Sequence, residues 1–282
     1  MAKRAQKKPS KGNNVVAQAR SGGAKQKASR PLGRAFWENV KSLAGAVVIY
    51  LIVKTLLIEA FRIPSGSMIP TLLIGDWLFV NKAAYGPTIP FTNSHLPGYT
   101  SPKHGDVVVF VSPYQPDEAQ IGNDPTPTLV KRLIGMPGDT VFMKGDGIVN
   151  INGVPQPQTF TSNNPKLDPT STDPLFDWQH KFEIHGSRFG EPPAQPSHDT
   201  FGPIVVPKDH YFMMGDNRYC SKDSRYWGLV PKDNIRGRPL FVYYSYVPGA
   251  DPDNNECDGV RSDRPVPFIS DIRWTRIGHM IR

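Results

Sequence analysis

The run Pro64-Ser65-Gly66-Ser67-Met68 sets two hydroxyls around a glycine. Pro64 fixes its own φ and Gly66 lets the backbone approach a ligand closely, so a serine on this turn beside apolar pockets has the setting of a nucleophile. The same composition also serves a loop that merely turns the chain. A serine hydroxyl is a weak nucleophile and needs a base within hydrogen-bond reach. Of the seven histidines (His95, His104, His180, His185, His198, His210 and His279), none stands in a metal-ligand spacing or a G-x-S-x-G elbow. His104, next to a strand, reads as a turn residue, and the other candidate base is a lysine.

Lys131 lies inside Leu129-Val-Lys-Arg-Leu-Ile134, an apolar segment with two cations in it. Pointing inward, it must be neutral or paired, because desolvation penalises the ammonium form. A lysine neutral near pH 7 needs its pKa lowered by about three units from ~10.4, roughly 4 kcal/mol. Proteins keep such a group mainly as a base or nucleophile. Pointing outward on an edge strand, it would instead discourage aggregation. Gly215-Asp216-Asn217-Arg218 and Asp223-Ser224-Arg225 follow Phe212-Met213-Met214. They read either as a solvated turn with surface ion pairs or as a buried network that fixes a neighbouring active group. The segments alone leave both pairs of readings open.

These residues require a frame. Thr71 to Val80 reads as a strand broken by the Gly75-Asp76 turn, and Val107 to Val111 as a buried strand. Thr128 to Asp139 carries another strand. Val141-Phe-Met143 and Ile148 to Gly153 pair around the Lys144-Gly-Asp-Gly147 turn. From Val154 to Pro203 the signals fade into Pro, Asn, Ser and Asp, with Phe182-Glu-Ile184 the best strand, so an accessory β-ribbon or insertion is expected. Tyr211 to Met214 and Pro239 to Tyr244 resume the pattern. Many short strands between Gly and Pro turns, with no convincing helix beyond the N-terminal apolar segment, predict a mainly β fold.

Ten of the 33 Lys and Arg residues fall in the first 37 positions, which hold no Asp or Glu; beyond them, 23 basic face 25 acidic residues. The folded part is not basic, which argues against nucleic acid as its partner. The tail, poor in apolar residues, reads as disordered. After it, Lys41 to Glu59 would span about 27 Å as a helix, close to the hydrocarbon thickness of a bilayer. Lys54 near its outer end can snorkel to the headgroups, and no small-residue cleavage site follows. The segment is therefore expected to be a retained anchor, with the basic tail cytoplasmic and everything beyond residue 60 outside. The expected organisation is a tail over 1–37, an anchor over 38–60, a catalytic β domain over 61–153 and 207–282, and an accessory insertion over 154–206. Cys220 and Cys257 lie in the outward part, where an oxidising compartment permits a disulfide; sequence cannot show that they come close enough.

PSGSMIPTLLIGD (64–76), GDVVVF (105–110), VKRLIGMPGD (130–139) and GDNRYCSKDSRYWGLVP (215–231) follow the anchor in an order that resembles the bacterial type I signal peptidases, membrane-anchored Ser/Lys endopeptidases. Ile272-Arg-Trp-Thr-Arg276 is similar to that family's ending. The resemblance implies Ser67 as nucleophile and Lys131 as general base. It implies an oxyanion hole from the Ser67 amide and the Ser65 hydroxyl, with Ser221 orienting the lysine. Asp223 and Arg225, with Asp216 and Arg218, would form a supporting charged network. Ile63, Leu72, Val109, Leu129 and Val130 fall where the family lines two shallow pockets for small residues, as in Ala-x-Ala. No cofactor or metal is implied. The implied partners are signal peptides of preproteins emerging from the translocase, and membrane lipid; the implied location is the bacterial inner membrane, single-pass, with the catalytic domain periplasmic. The chain departs from the better-known members in having Tyr219-Cys220 in place of an Asp-Asn pair, one anchor rather than two, and no alignable motif over 154–203. A dedicated maturation peptidase of a conjugation or secretion system, or a non-catalytic tethered peptide-binding module, are the alternatives.

Overall fold

The structure, a computed structural model, describes residues 32–282 apart from 90–91, 93, 160, 162–172, 250–256, 258, 262 and 264–267. The basic tail expected to be disordered lies, up to residue 31, outside the described residues. Contacts divide the chain into a unit ending at Val47, whose described part is helix, and a unit from Val48 to Arg282 that holds every strand.

Helix α1 runs Leu32–Ile52 and passes through one π turn, Val53–Leu57, into strand β1, Ile58–Arg62. Phe36–Leu57 is long and apolar enough to cross a membrane. The helix thus begins before the predicted residue 38 and the chain is already extended at Ile58. The reason is a period-2 pattern hidden at the end of the apolar run: Ile58-Glu-Ala-Phe-Arg62 alternates between exposed and partly buried as it pairs with β2, Asp76–Asn81. A strand is also missing from the first half of Thr71–Val80. There the Leu72 N–H bonds back to the Met68 carbonyl and the Asp76 carboxylate accepts the Leu73 N–H, so residues 68–76 coil as turns before β2 starts.

The remaining strands are β3 Val107–Val111, β4 Thr128–Gly135, β5 Thr140–Lys144, β6 Asn150–Ile151, β7 Val154–Pro155, β8 Thr200–Val205, β9 His210–Met214, β10 Val230–Pro231 and β11 Ile235–Ser245. Two short helices, α2 Pro116–Gln120 and α3 Ser224–Trp227, punctuate them. A seven-stranded antiparallel sheet has the order β1-β2-β11-β3-β4-β9-β10, and a four-stranded one β7-β6-β5-β8. Strand β11 pairs with β3 through its first residues and with β2 through the rest, with register shifts that curl the large sheet. The architecture is mainly β, as the turn-punctuated pattern predicts.

The core follows the strand faces. Leu78, Val80, Val107, Val109 and Val242 pack around Met68 and Leu72, while Val108, Phe110, Leu133 and Met213 fill the opposite face. Each such side chain contributes about 1.5–3 kcal/mol on full burial. The small sheet packs Val141, Ile151, Phe201 and Ile204 against Phe212 and Met214 of β9. Because β5 pairs with β8, with Val141 opposite Ile204, the accessory sheet begins before the predicted boundary at 154. Phe182-Glu-Ile184 makes only an isolated bridge, from Glu183 to Ile204; the segment before it is a 3-10 helix, Pro174–Lys181.

The C-terminal Ile272–Arg276 motif has a structural role. Arg276 donates from Nη2 to the buried Asp76 carboxylate at 2.6 Å, Ser245 Oγ donates to the same group at 2.6 Å, and Arg273 caps the Ile74 carbonyl at 2.8 Å. This ion pair joins residues 200 positions apart and fixes the turn that leads from Ser67 into β2.

Candidate active site

Ser67 sits in a single 3-10 turn, Gly66–Met68, entered from an extended Ser65. Amides in the first turn of a helix have no intrahelical acceptor, so the Ser67 N–H is available to a ligand. The turn is held from behind by the Gly215–Asn217 loop: the Asn217 N–H donates to the Ser67 carbonyl at 3.1 Å, and its side-chain amide donates to the Gly66 carbonyl at 3.1 Å. Gly215 is required for this approach. A Cβ there would meet Ser221 Oγ at 2.2 Å and the Ser67 carbonyl oxygen at 2.5 Å. Gly215 therefore brings Ser221 and the back of Ser67 together.

Lys131 lies on β4 opposite Val108 of β3 and is 3% exposed. The outward reading is thereby excluded. Burial lowers its pKa from the usual 10.5 to about 8; Asp223 and Asp216 oppose that shift and Arg225 adds to it. No hydrogen bond or ion pair to its Nζ is formed among the described residues. Ser221 Oγ is likewise buried without a partner. At pH 7 a group with this pKa is neutral about one time in ten, and at pH 8 about half the time.

The charged groups behind the lysine form two pairs. Arg225, fully buried, donates from Nε and Nη2 to Asp223 at 2.9 and 2.8 Å, and Asp223 also accepts the Gly215 N–H at 3.1 Å. Burial pushes the Asp223 carboxyl up, but Arg225 and Lys131 outweigh it and hold it below the usual range, so it stays anionic. Asp216 is paired with Arg132, from Nε and Nη2 at 2.7 Å each, and accepts from Thr71 Oγ1; Arg218 instead donates to the Gly215 carbonyl at 3.2 Å. Arg132 and Thr71 were not singled out in the sequence. Arg132 stands beside Lys131 with its own charge, and only the register of β4 against β9, Arg132 opposite Met214, brings it to Asp216.

Two clefts meet at Ser67. The smaller, about 60 Å³, is lined by Ile63, Val109, Leu129 and Val130 together with Ser65, Ser67 and Lys131, and adds Phe61, Met68 and Thr128. Leu72 is not part of it. Fully buried, it packs in the core beneath, because the 68–76 coil turns it inward rather than along a strand face. The larger cleft, about 570 Å³, shares Ser65, Ser67, Leu129 and Lys131 and extends to Ser221, Lys222, Asp117 and Glu118. Thr128 to Lys131 pair with β3 on one side, while β9 reaches β4 only from Arg132 onward. An extended ligand therefore finds an unpaired strand edge beside Ser67. Among the described residues, no three His, Cys, Asp or Glu side chains converge to hold a metal.

His104 lines neither cleft and binds Asp139 at 2.6 Å. The departure at 219–220 has a physical content. The Tyr219 hydroxyl donates to Asp199 at 2.6 Å, and Cys220 is disulfide-bonded to Cys257 with Cα atoms 5.4 Å apart. His198, from the stretch without motifs, stacks on Tyr219 and approaches Arg225 Nη1 at 3.3 Å. No spacing in the sequence pointed to it.

A model of the family described as signal peptidase, peptidase S26, matches residues 36–244. A signal peptidase I of Pseudomonas fluorescens is 35% identical over 219 residues, covering 73% of this chain and 72% of the relative. That of Pseudomonas aeruginosa is 34% identical over 220 residues, with the same coverage, and a signal peptidase I P of Bacillus subtilis subsp. natto is 34% identical over 209, covering 73% and 87%. The chain belongs to the signal peptidase family, peptidase S26.

Proposed function

We propose that Ser67 and Lys131 are the nucleophile and general base with which this chain, a membrane-associated serine endopeptidase, removes signal peptides from preproteins. Removal of signal peptides by a serine peptidase follows from family membership; the residue roles are our reading. What carries them is one observation. A lysine 3% exposed, with a pKa lowered to about 8, lines the same small apolar cleft as Ser67.

In this reading the signal peptide's C-terminal end lies extended along the open edge of Thr128–Lys131 and the segment 61–65. Its small side chains enter the cleft of Ile63, Val109, Leu129 and Val130; a 60 Å³ cleft suits a methyl group and rejects bulk. Neutral Lys131 takes the proton from Ser67 Oγ, which attacks the carbonyl carbon. The Ser67 N–H and the Ser65 hydroxyl stabilise the oxyanion, a contribution of about 3 kcal/mol each. Lys131 then gives its proton to the leaving amine, and later takes one from the water that hydrolyses the ester. Ser221 orients the ammonium group, while Asp223–Arg225 and Asp216–Arg132 fix the wall behind it. The apolar helix Phe36–Leu57 anchors the enzyme, and the basic residues before it favour a cytoplasmic N-terminus, with the sheet domain outside near the translocase exit.

The test is cleavage of a preprotein with an Ala-x-Ala site by the full chain in detergent, comparing wild type, Ser67→Ala and Lys131→Met. Both variants are expected to lose cleavage completely. Activity retained by Ser67→Ala would favour the peptide-binding module, and activity retained by Lys131→Met would remove the lysine from the mechanism.

A further inference from the structure

The proposed mechanism leaves the Cys220–Cys257 bridge without a role, yet both of its ends abut the catalytic groups. Cys220 directly precedes Ser221, whose buried hydroxyl is unpartnered. Cys257 packs against the residue before Ser67: its carbonyl oxygen is 2.0 Å from the point where a Cβ on Gly66 would sit. The backbone at 257 is therefore laid directly on the residue before Ser67. Gly259 continues the contact, its own Cβ position 3.2 Å from Ile69 Cδ1. Both cysteines line the 570 Å³ cleft with Ser65, Ser67, Lys131 and Ser221, and neither lines the 60 Å³ cleft.

We propose that Cys220 and Cys257 are positioning residues for this reaction: their disulfide clamps the Ser221 segment and the Gly66–Ser67 turn in one register. The inference rests on the Ser67/Lys131 reading. The two segments are far apart in sequence, and the turn's other ties to the 215–217 loop are single hydrogen bonds at about 3 Å. The bridge covalently ties Cys220 to Cys257, whose backbone packs on Gly66, and a shift of a few tenths of an ångström is enough to spoil a proton-transfer geometry. Reduction transfers two electrons and two protons from a dithiol to the bridge, giving two cysteine thiols and an oxidised dithiol. It frees Cys257 from Cys220 and lets Ser221 move against Lys131. Because the cleft for the small side chains contains neither sulfur, substrate binding there is left intact.

The test uses the full chain in detergent, as oxidised wild type, as wild type reduced with dithiothreitol and freed of reductant, and as Cys220→Ser/Cys257→Ser. Thiol counts give the redox state, near-ultraviolet circular dichroism monitors folding, and kcat is normalised to active sites by the acylation burst. The reduced and double-serine forms are expected to lose about tenfold in kcat per site with KM within about twofold, and to move the midpoint of the pH–kcat limb by about half a unit. Reoxidation restores both. A bridge that merely stabilises the fold would change the number of active sites but neither kcat per site nor the midpoint, and that result would overturn the proposal. Reversible reduction of folded wild type keeps the test valid even where the double variant fails to fold. Ser67→Ala in the same assay separates the two levels. If it is inactive and the reduced enzyme is unchanged, only the role of the bridge fails; if it is active, the Ser/Lys reading itself fails.

Discussion

Replacing Lys131 with methionine should abolish cleavage and, at the same time, make the protein more stable at neutral pH. The buried ammonium is held at a pKa of about 8, against 10.5 for the free side chain. Each unit is 1.36 kcal/mol, so the lysine costs folding about 3 kcal/mol at pH values below its folded pKa, where both states are protonated. The unfolded state binds more protons than the native state between pH 8 and 10.5, so the wild-type penalty is fully present below pH 8 and disappears as pH rises through 10.5. Methionine has nearly the same length, no charge and a flexible thioether, and leaves no cavity. The expected difference between variant and wild type is therefore about 3 kcal/mol in favour of the variant at pH 7, falling towards zero near pH 10.5. Asp223, which Lys131 helps to hold low, stays anionic against Arg225 over this range in both proteins, so the other titrating groups cancel. Urea unfolding of both proteins in the same detergent, followed by tryptophan fluorescence from pH 6.5 to 10.5, measures it. A variant less stable than wild type at pH 7, or a difference that does not change over this range, would refute a desolvated lysine at this position.

Gly215→Ala places a methyl carbon 2.2 Å from Ser221 Oγ and 2.5 Å from the Ser67 carbonyl oxygen. Overpacking of this kind costs about 1–3 kcal/mol, so preprotein cleavage should fall by about 10- to 100-fold, read as kcat/KM. Arg276→Ala leaves the buried Asp76 carboxylate without its cation. A drop of about 3 kcal/mol in urea stability is expected, with Arg276→Lys recovering only part because one ammonium cannot reproduce the fork.

The motifs of the proposed site were more legible in the sequence than the frame that holds them. Ser67 and Lys131 stood out by residue type and Ser65 and Ser221 through the resemblance of their motifs, and all four line one cleft. Ile63, Val109, Leu129 and Val130, which only the resemblance pointed to, line the other. Leu72, which the resemblance placed in a pocket, packs in the core instead because residues 68–76 coil and turn it inward. Strand β1 was hidden because Ile58 and Phe61 extend an apolar run that reads equally well as the end of a helix. The partners of charged residues were the least legible. Asp216 follows two residues after Met214, the strand partner of Arg132, yet stands 84 positions from that arginine in sequence, and Asp76 meets Arg276 across 200. Nothing local distinguishes those arginines from Arg218, which carries the same charge beside Asp216 and bonds a carbonyl instead. Pairing across such distances is set by sheet register, which composition does not encode.

The most direct measurement of the central claim is the site and pH dependence of acylation. The full chain in detergent is mixed with a slowly hydrolysed ester analogue of an Ala-x-Ala peptide, quenched in acid and mapped by mass spectrometry. The account predicts one acyl group, on Ser67, forming at a rate that rises through a midpoint near the lysine's pKa of about 8 and vanishing in Lys131→Met. Acylation of another residue, turnover without any adduct, or a rate on Ser67 that survives loss of Lys131 would contradict it.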